Sequence, residues 1–149
     1  MAYKGVFRPN NPAKYKGNPG NIVYRSRWEL MLMQKFDNHP DVLEWSSEEV
    51  AIPYRSPIDG RIHRYFPDFI IRRKDTTGKI ATIMIEVKPH AQTIAPKVQS
   101  GKKPTKRYIN EVSTYGINTS KWKMAEEYCK DRGWQFMIMT EYELGLKKR

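Results

Sequence analysis

Asp68, Glu86 and Lys88 are the residues of this chain best placed to do chemistry, and all three fall in one stretch, RYFPDFIIRRKDTTGKIATIMIEVKP, residues 64–89. The stretch otherwise reads as two hydrophobic strands joined by a polar turn. Charge inside a strand is costly unless it is paired, hydrogen-bonded or bound to a metal. Side chains alternate along a strand, so Thr82, Met84, Glu86 and Lys88 share one face, while Ala81, Ile83, Ile85 and Val87 share the other. The second face is wholly apolar and packs inward. The first turns polar only at its end, which sets Glu86 and Lys88 side by side at the rim of a sheet.

If residues 64–73 and 79–88 pair as a hairpin, Asp68 joins Glu86 on one face only when paired residue numbers sum to an even value such as 152 or 154. The obvious four-residue loop, Asp75 to Gly78, gives an odd sum. A three- or five-residue connection, or a bulge near Pro67, is therefore expected. Two carboxylates converging beside an ammonium group suit magnesium, which takes one or two carboxylates and leaves its other positions to water and phosphate. Each residue also has an ordinary explanation. Asp68 after Pro67 suits a turn, and Glu86 with Lys88 suits ladder partners at a sheet edge. The combination at hairpin spacing, in a strongly basic chain, favours the metal site.

The surrounding elements must hold these groups in place. Residues 22–36 (IVYRSRWELMLMQKF) carry apolar groups at helical spacing and are followed by Pro40, which predicts a first helix. Residues 41–46 and 50–54 read as short strands broken by Glu48 and Glu49, and SPIDG reads as the turn that follows. Residues 90–105, with two prolines and a Ser-Gly pair, read as a long basic loop. Helix resumes near Lys106. NTSKWKMAEEYCKDRG has capping residues at its start, Trp122, Ala125 and Cys129 on one side, and Gly133 at its C-terminal cap; WQFMIMT is then a strand. These elements predict one α/β (α+β) domain with a mixed central sheet flanked by helices, over residues 22–149, preceded by a basic, aromatic-rich arm at 1–21.

Composition points to a polyanionic partner. The 149 residues include 27 Lys and Arg against 16 Asp and Glu, a net charge of +11. Residues 1–28 hold six basic side chains and no acid, as do residues 87–110. Tyr3, Phe7, Tyr15 and Tyr24 interleave the first group, a mixture suited to gripping phosphate and stacking on bases. DNA contacts are accordingly expected at Lys14, Lys16, Arg25 and Arg27 in the arm, and at Lys97, Lys102, Lys103 and Lys106 in the loop. A single cysteine excludes an internal disulfide framework, and three dispersed histidines offer no zinc-ligand spacing. No apolar run approaches a membrane span, and the N-terminus lacks the apolar stretch of a signal peptide.

Pro67-Asp68 followed by Glu86-Val87-Lys88 resembles the PD-(D/E)xK nuclease motif, whose fold is restriction-endonuclease-like. YRSRWE, VAIPYR, RYFPDF, IEVKP, NTSKWKMAEEYCKDRG and IMTEYEL resemble, in order and spacing, the head completion nucleases of T-even-like tailed phages and, more distantly, TnsA-like endonucleases. The resemblance implies a magnesium-dependent DNA endonuclease, with manganese as a substitute, acting in head completion after packaging. It implies metal ligation by Asp68, Glu86 and the Val87 backbone carbonyl, with Lys88 catalytic. It also implies an upstream helix acid, matched by Glu29, although Ser26-x-x-Glu29 equally fits a capping box. Lys121 and Lys123 would begin a helix that contacts phosphate. DNA and the phage head or portal proteins are the implied partners, and the cytoplasm of the infected bacterial host or the virion the implied location. The rival reading is a non-catalytic plug or adaptor on the same fold. Two carboxylates facing the phosphate path speak against it, because they repel DNA.

Overall fold

The computed structural model describes residues 4–98, 101 and 103–148; Tyr3, Lys102 and Arg149 lie outside the described residues. In chain order the strands and helices are β1 (Gly5–Phe7), β2 (Ile22–Tyr24), α1 (Arg27–Asn38), β3 (Val42–Ser47), β4 (Ile52–Arg55), β5 (Ile62–Tyr65), β6 (Phe69–Lys74), β7 (Ile80–Val87), α2 (Lys106–Arg132) and β8 (Gln135–Met139). The main sheet has the order β3-β6-β7-β8. Its first three strands are antiparallel and β8 runs parallel to β7. This is the mixed sheet flanked by helices that the element pattern predicts.

β7 is buried on both faces, which is why IATIMIEV reads as a nearly continuous apolar run. Ile83 and Ile85 join Phe69, Ile71 and Trp45 under α1, whose Leu32, Met33 and Phe36 point inward. Met84 meets Trp122, Ala125 and Cys129 of α2, together with Ile52, Tyr54 and Tyr65 from the β4-β5 hairpin. α2 and this hairpin therefore wall one side of the strand that carries Glu86.

The β6-β7 register is Phe69↔Ile85 through Lys74↔Ile80, so paired numbers sum to 154. The connection is five residues long, Asp75 to Lys79. The Asp75 side chain accepts from the N–H groups of Thr77 and Lys79 and closes the loop. Asp68, one residue before β6, is thereby carried to the end of β7 that holds Glu86.

Two elements differ from the sequence reading. Ile22–Tyr24 is a strand, not the first turn of a helix. Its β-branched Ile and Val pair with Gly5–Phe7, a partner that local periodicity does not reveal. Gly5 leaves room for the Tyr24 ring, whose hydroxyl end a Cβ would meet unless that ring shifted. α2 is one 27-residue helix that continues through Asn118, so Lys121 and Lys123 lie within it rather than at its start. The hydroxyls of Thr119 and Ser120 are satisfied by donating back to the Gly116 carbonyl, at 3.1 and 3.0 Å, and cap nothing.

The N-terminal segment is anchored to the domain. Phe7 and Tyr15 are buried and pack edge-on against Trp45, so they are core residues and are not available to stack on bases. The buried Asp37 carboxylate accepts from the backbone N–H groups of Asn10 and Asn11, at 2.7 and 3.0 Å. Lys14 donates to the carbonyls of Asp37 and His39, where the end of α1 leaves acceptors free. No helix among the described residues is long and apolar enough to cross a membrane.

Candidate active site

Asp68 sits between Pro67 and the first residue of β6, and its Oδ2 accepts the Val87 N–H at 2.7 Å. The bond ties the end of β6 to the end of β7 and fixes the carboxylate at the sheet rim. Burial, then a hydrogen bond to Glu86 and that residue's charge, push the Asp68 pKa up to about 9.

Glu86 is only 4% exposed. Its Oε2 accepts from the Tyr65 hydroxyl at 2.5 Å and from the Trp122 indole N–H at 3.2 Å, so β5 and α2 aim a group that β7 carries. The same contact, with burial as the larger cause, drives the Tyr65 phenol pKa far upward. Lys88, two residues on, is partly exposed, and its backbone N–H continues the ladder to the Met139 carbonyl at 3.1 Å.

Glu29 stands in the first turn of α1. Its backbone N–H donates to the Ser26 hydroxyl oxygen at 3.1 Å, and that hydroxyl donates to Glu29 Oε2 at 3.0 Å. The helix cap and a position in the site are therefore compatible. Burial raises the Glu29 pKa, and nearby Glu48 adds to the shift while Ser26 opposes it.

Glu48 is the site residue that sequence reasoning missed. It reads as a break between strands, and it is one, with φ at 54° directly after β3. That left-handed backbone is unusual for a residue with a Cβ. Its N–H donates to the Asp68 carbonyl, and its carboxylate pairs with Arg25. Ligand oxygens of Glu29, Glu48 and Asp68 lie within 4.8 Å of one another. The only advance signal was an acid in a chain segment, residues 36–49, without Lys or Arg.

Lys121 reaches the same place from α2. Its Nζ lies 5.7 and 5.6 Å from the ring centroids of Tyr54 and Tyr65, and burial followed by the charge of Lys88 lowers its pKa. Lys123 is exposed, as are Arg27 and Lys103. Lys16 pairs with Glu44 at 3.7 Å, Arg25 is committed to Glu48, and Lys97 and Lys106 line a groove beside α2.

The donor set is all oxygen and gathers Glu29, Glu48, Asp68 and Glu86, with Arg25 the one directly paired cation among the described residues. Burial is the main reason the Asp68 pKa is raised, with the neighbouring Glu86 and Glu29 adding to it, and a hard divalent cation would satisfy such an all-oxygen set. These residues fit a magnesium-type ion.

A mixed sheet between helices, with acids from separate elements meeting at the ends of its central strands, defines an α+β domain of the nuclease kind. The chain belongs to the TnsA-like endonuclease N-terminal family, which residues 39–141 match. It is also 40% identical over 144 residues to the head completion nuclease of Enterobacteria phage T4, covering 95% of this chain and 93% of that protein.

Proposed function

We propose that this chain is a magnesium-dependent DNA endonuclease that hydrolyses phosphodiester bonds in phage head completion, after DNA packaging. The observation that carries the reading is the meeting of Glu29, Glu48 and Asp68 within 4.8 Å, beside the buried Glu86 and the cationic Lys88 and Lys121. Acids alone would repel DNA, and cations alone would only bind it. The two together suit phosphate cleavage. The name of the phage T4 relative supports the setting of head completion, and the reading takes DNA and head or portal proteins as partners and the host cytoplasm or the virion as the location.

Asp68, Glu86, the Val87 carbonyl and Glu29, joined by Glu48, would hold the cation. Magnesium, or manganese in its place, supplies charge to polarise the scissile phosphate and lower the pKa of a water. The protein contributes the rest. The Val87 N–H orients Asp68, and Tyr65 with Trp122 hold Glu86 in one rotamer, so the acids are pre-positioned. Lys88 stabilises negative charge developing on the phosphate, and Lys121 adds a second positive group behind it.

The deciding experiment incubates purified chain with linear, circular and branched DNA, in magnesium or in chelator. Asp68→Ala and Glu86→Ala are expected to abolish magnesium-dependent nicking and to bind DNA as well as wild type or slightly better, since each removes a donor and a negative charge. Wild-type-like cleavage by either variant would sink the metal-site reading.

A further inference from the structure

Of the four acids in the site only Glu86 is buried, and its surroundings restrict what it can offer a cation. A carboxylate oxygen has two lone-pair sites. Glu86 Oε2 accepts from the Tyr65 hydroxyl at 2.5 Å and from the Trp122 indole N–H at 3.2 Å, so both of its sites are taken. The two donors are core residues themselves. Tyr65 faces inward because it alternates with the exposed Arg64 and Phe66, and Trp122 shares the buried side of α2 with Ala125 and Cys129. Neither can swing away from Oε2 without opening the core.

Both donors are also uncharged. An arginine or lysine in their place would fix the carboxylate and neutralise it, whereas a phenol and an indole fix it and leave its charge for a cation. Burial drives the Tyr65 pKa far upward, so its hydroxyl stays a donor at any working pH. The other acids are engaged more lightly. The Val87 N–H donates to Asp68 Oδ2, the Ser26 hydroxyl donates to Glu29 Oε2, and Arg25 spans the two oxygens of Glu48. Among these four acids only Glu86 has an oxygen closed by two donors.

Divalent cations differ in what they ask of a carboxylate. Calcium takes about six to eight oxygens at about 2.3–2.6 Å and can grip a carboxylate by both of its oxygens, while magnesium demands a near-octahedral set at about 2.0–2.1 Å and keeps several waters. The narrow bite of a two-oxygen grip suits the first ion and not the second. We propose that Tyr65 and Trp122 set the metal selectivity of this site: by closing Oε2 they confine Glu86 to one ligating oxygen, Oε1, and bias the site toward magnesium or manganese over calcium. They act through Glu86 and are positioning residues. This inference rests on the endonuclease reading above and names what selects its cation.

The test is isothermal calorimetry of magnesium and of calcium binding to the full chain without DNA, for wild type, Tyr65→Phe and Trp122→Phe, with Asp68→Ala as the reference that lacks the site. Tyr65→Phe is expected to weaken magnesium by about tenfold, the low end for loss of a hydrogen-bond partner behind a metal ligand, and to leave calcium unchanged or tighter. The ratio of the two dissociation constants then moves toward calcium by about tenfold. Trp122→Phe, which removes the longer bond, should move it the same way by less, and it carries the decision if Tyr65→Phe fails to fold. The rise of unfolding temperature with each cation gives an independent affinity. A loosened core would weaken both cations alike, so the ratio is the readout. An unchanged ratio in the folded variants overturns the inference, and leaves the endonuclease reading standing where Asp68→Ala abolishes binding. Wild-type binding of both cations no tighter than that of Asp68→Ala refutes the endonuclease reading, and this inference falls with it.

Discussion

Asp68→Asn should make the metal-free protein more stable, by an amount that grows with pH. The Asp68 carboxyl has an ordinary pKa of 3.8 and is held at about 9 by burial and by Glu86. Between those values the native state keeps a proton that the unfolded chain releases. The unfolded state therefore binds fewer protons, and stability falls as pH rises through the window. One such proton is worth about 1.4 kcal/mol per pH unit, so the loss from pH 5 to pH 8 is at most about 4 kcal/mol. Partial exposure of Asp68 reduces it. Asparagine carries no charge at any pH, and its Oδ1 can still accept the Val87 N–H, so the variant should lack most of this slope. The assay is urea unfolding in chelator at pH 5, 6, 7 and 8 for both proteins. Calcium should raise the stability of wild type at pH 8 and that of the variant much less. A wild-type stability that rises over this range, or an equally steep fall in Asp68→Asn, would refute the raised pKa.

Glu48→Gly should relieve a left-handed backbone by about 1 kcal/mol while removing a carboxylate, so thermal unfolding in chelator should show no loss of stability even as magnesium-dependent cleavage drops; full activity would exclude Glu48 from the site. Lys88→Ala should leave calorimetric metal affinity in place and lower turnover by roughly a hundredfold or more, and a matching loss of metal affinity would count against its electrostatic role. Replacing Lys97, Lys102, Lys103 and Lys106 by alanine should flatten the dependence of log affinity on log salt by up to about four units, at about 0.9 for each phosphate contact. An unchanged slope would mean that the loop does not follow the backbone.

The hairpin was legible because its pattern is local. Alternation in residues 79–88 assigns faces, and the demand that Asp68 and Glu86 share one selects an even register, observed as 154. The N-cap at Ser26, the Gly133 cap and the β8 strand were legible for the same reason, since each depends on neighbours a few positions away. What the sequence could not supply was any relation closed by distant segments. Ile22–Tyr24 is a strand only because Gly5–Phe7 lies beside it, and the aromatic residues Phe7 and Tyr15 look ready for bases until Trp45 takes them into the core. Glu48 looks like a strand break until β3 delivers it to Asp68 and the start of α1. The proton affinity of Asp68, the clamp of Tyr65 and Trp122 on Glu86, and the approach of Lys121 likewise arise from desolvation and charge brought together through space. Sequence spacing can place a carboxylate on a strand face; only the packing of separate elements sets how close the next charge comes, and Coulomb energy depends on that distance and on the water removed from between.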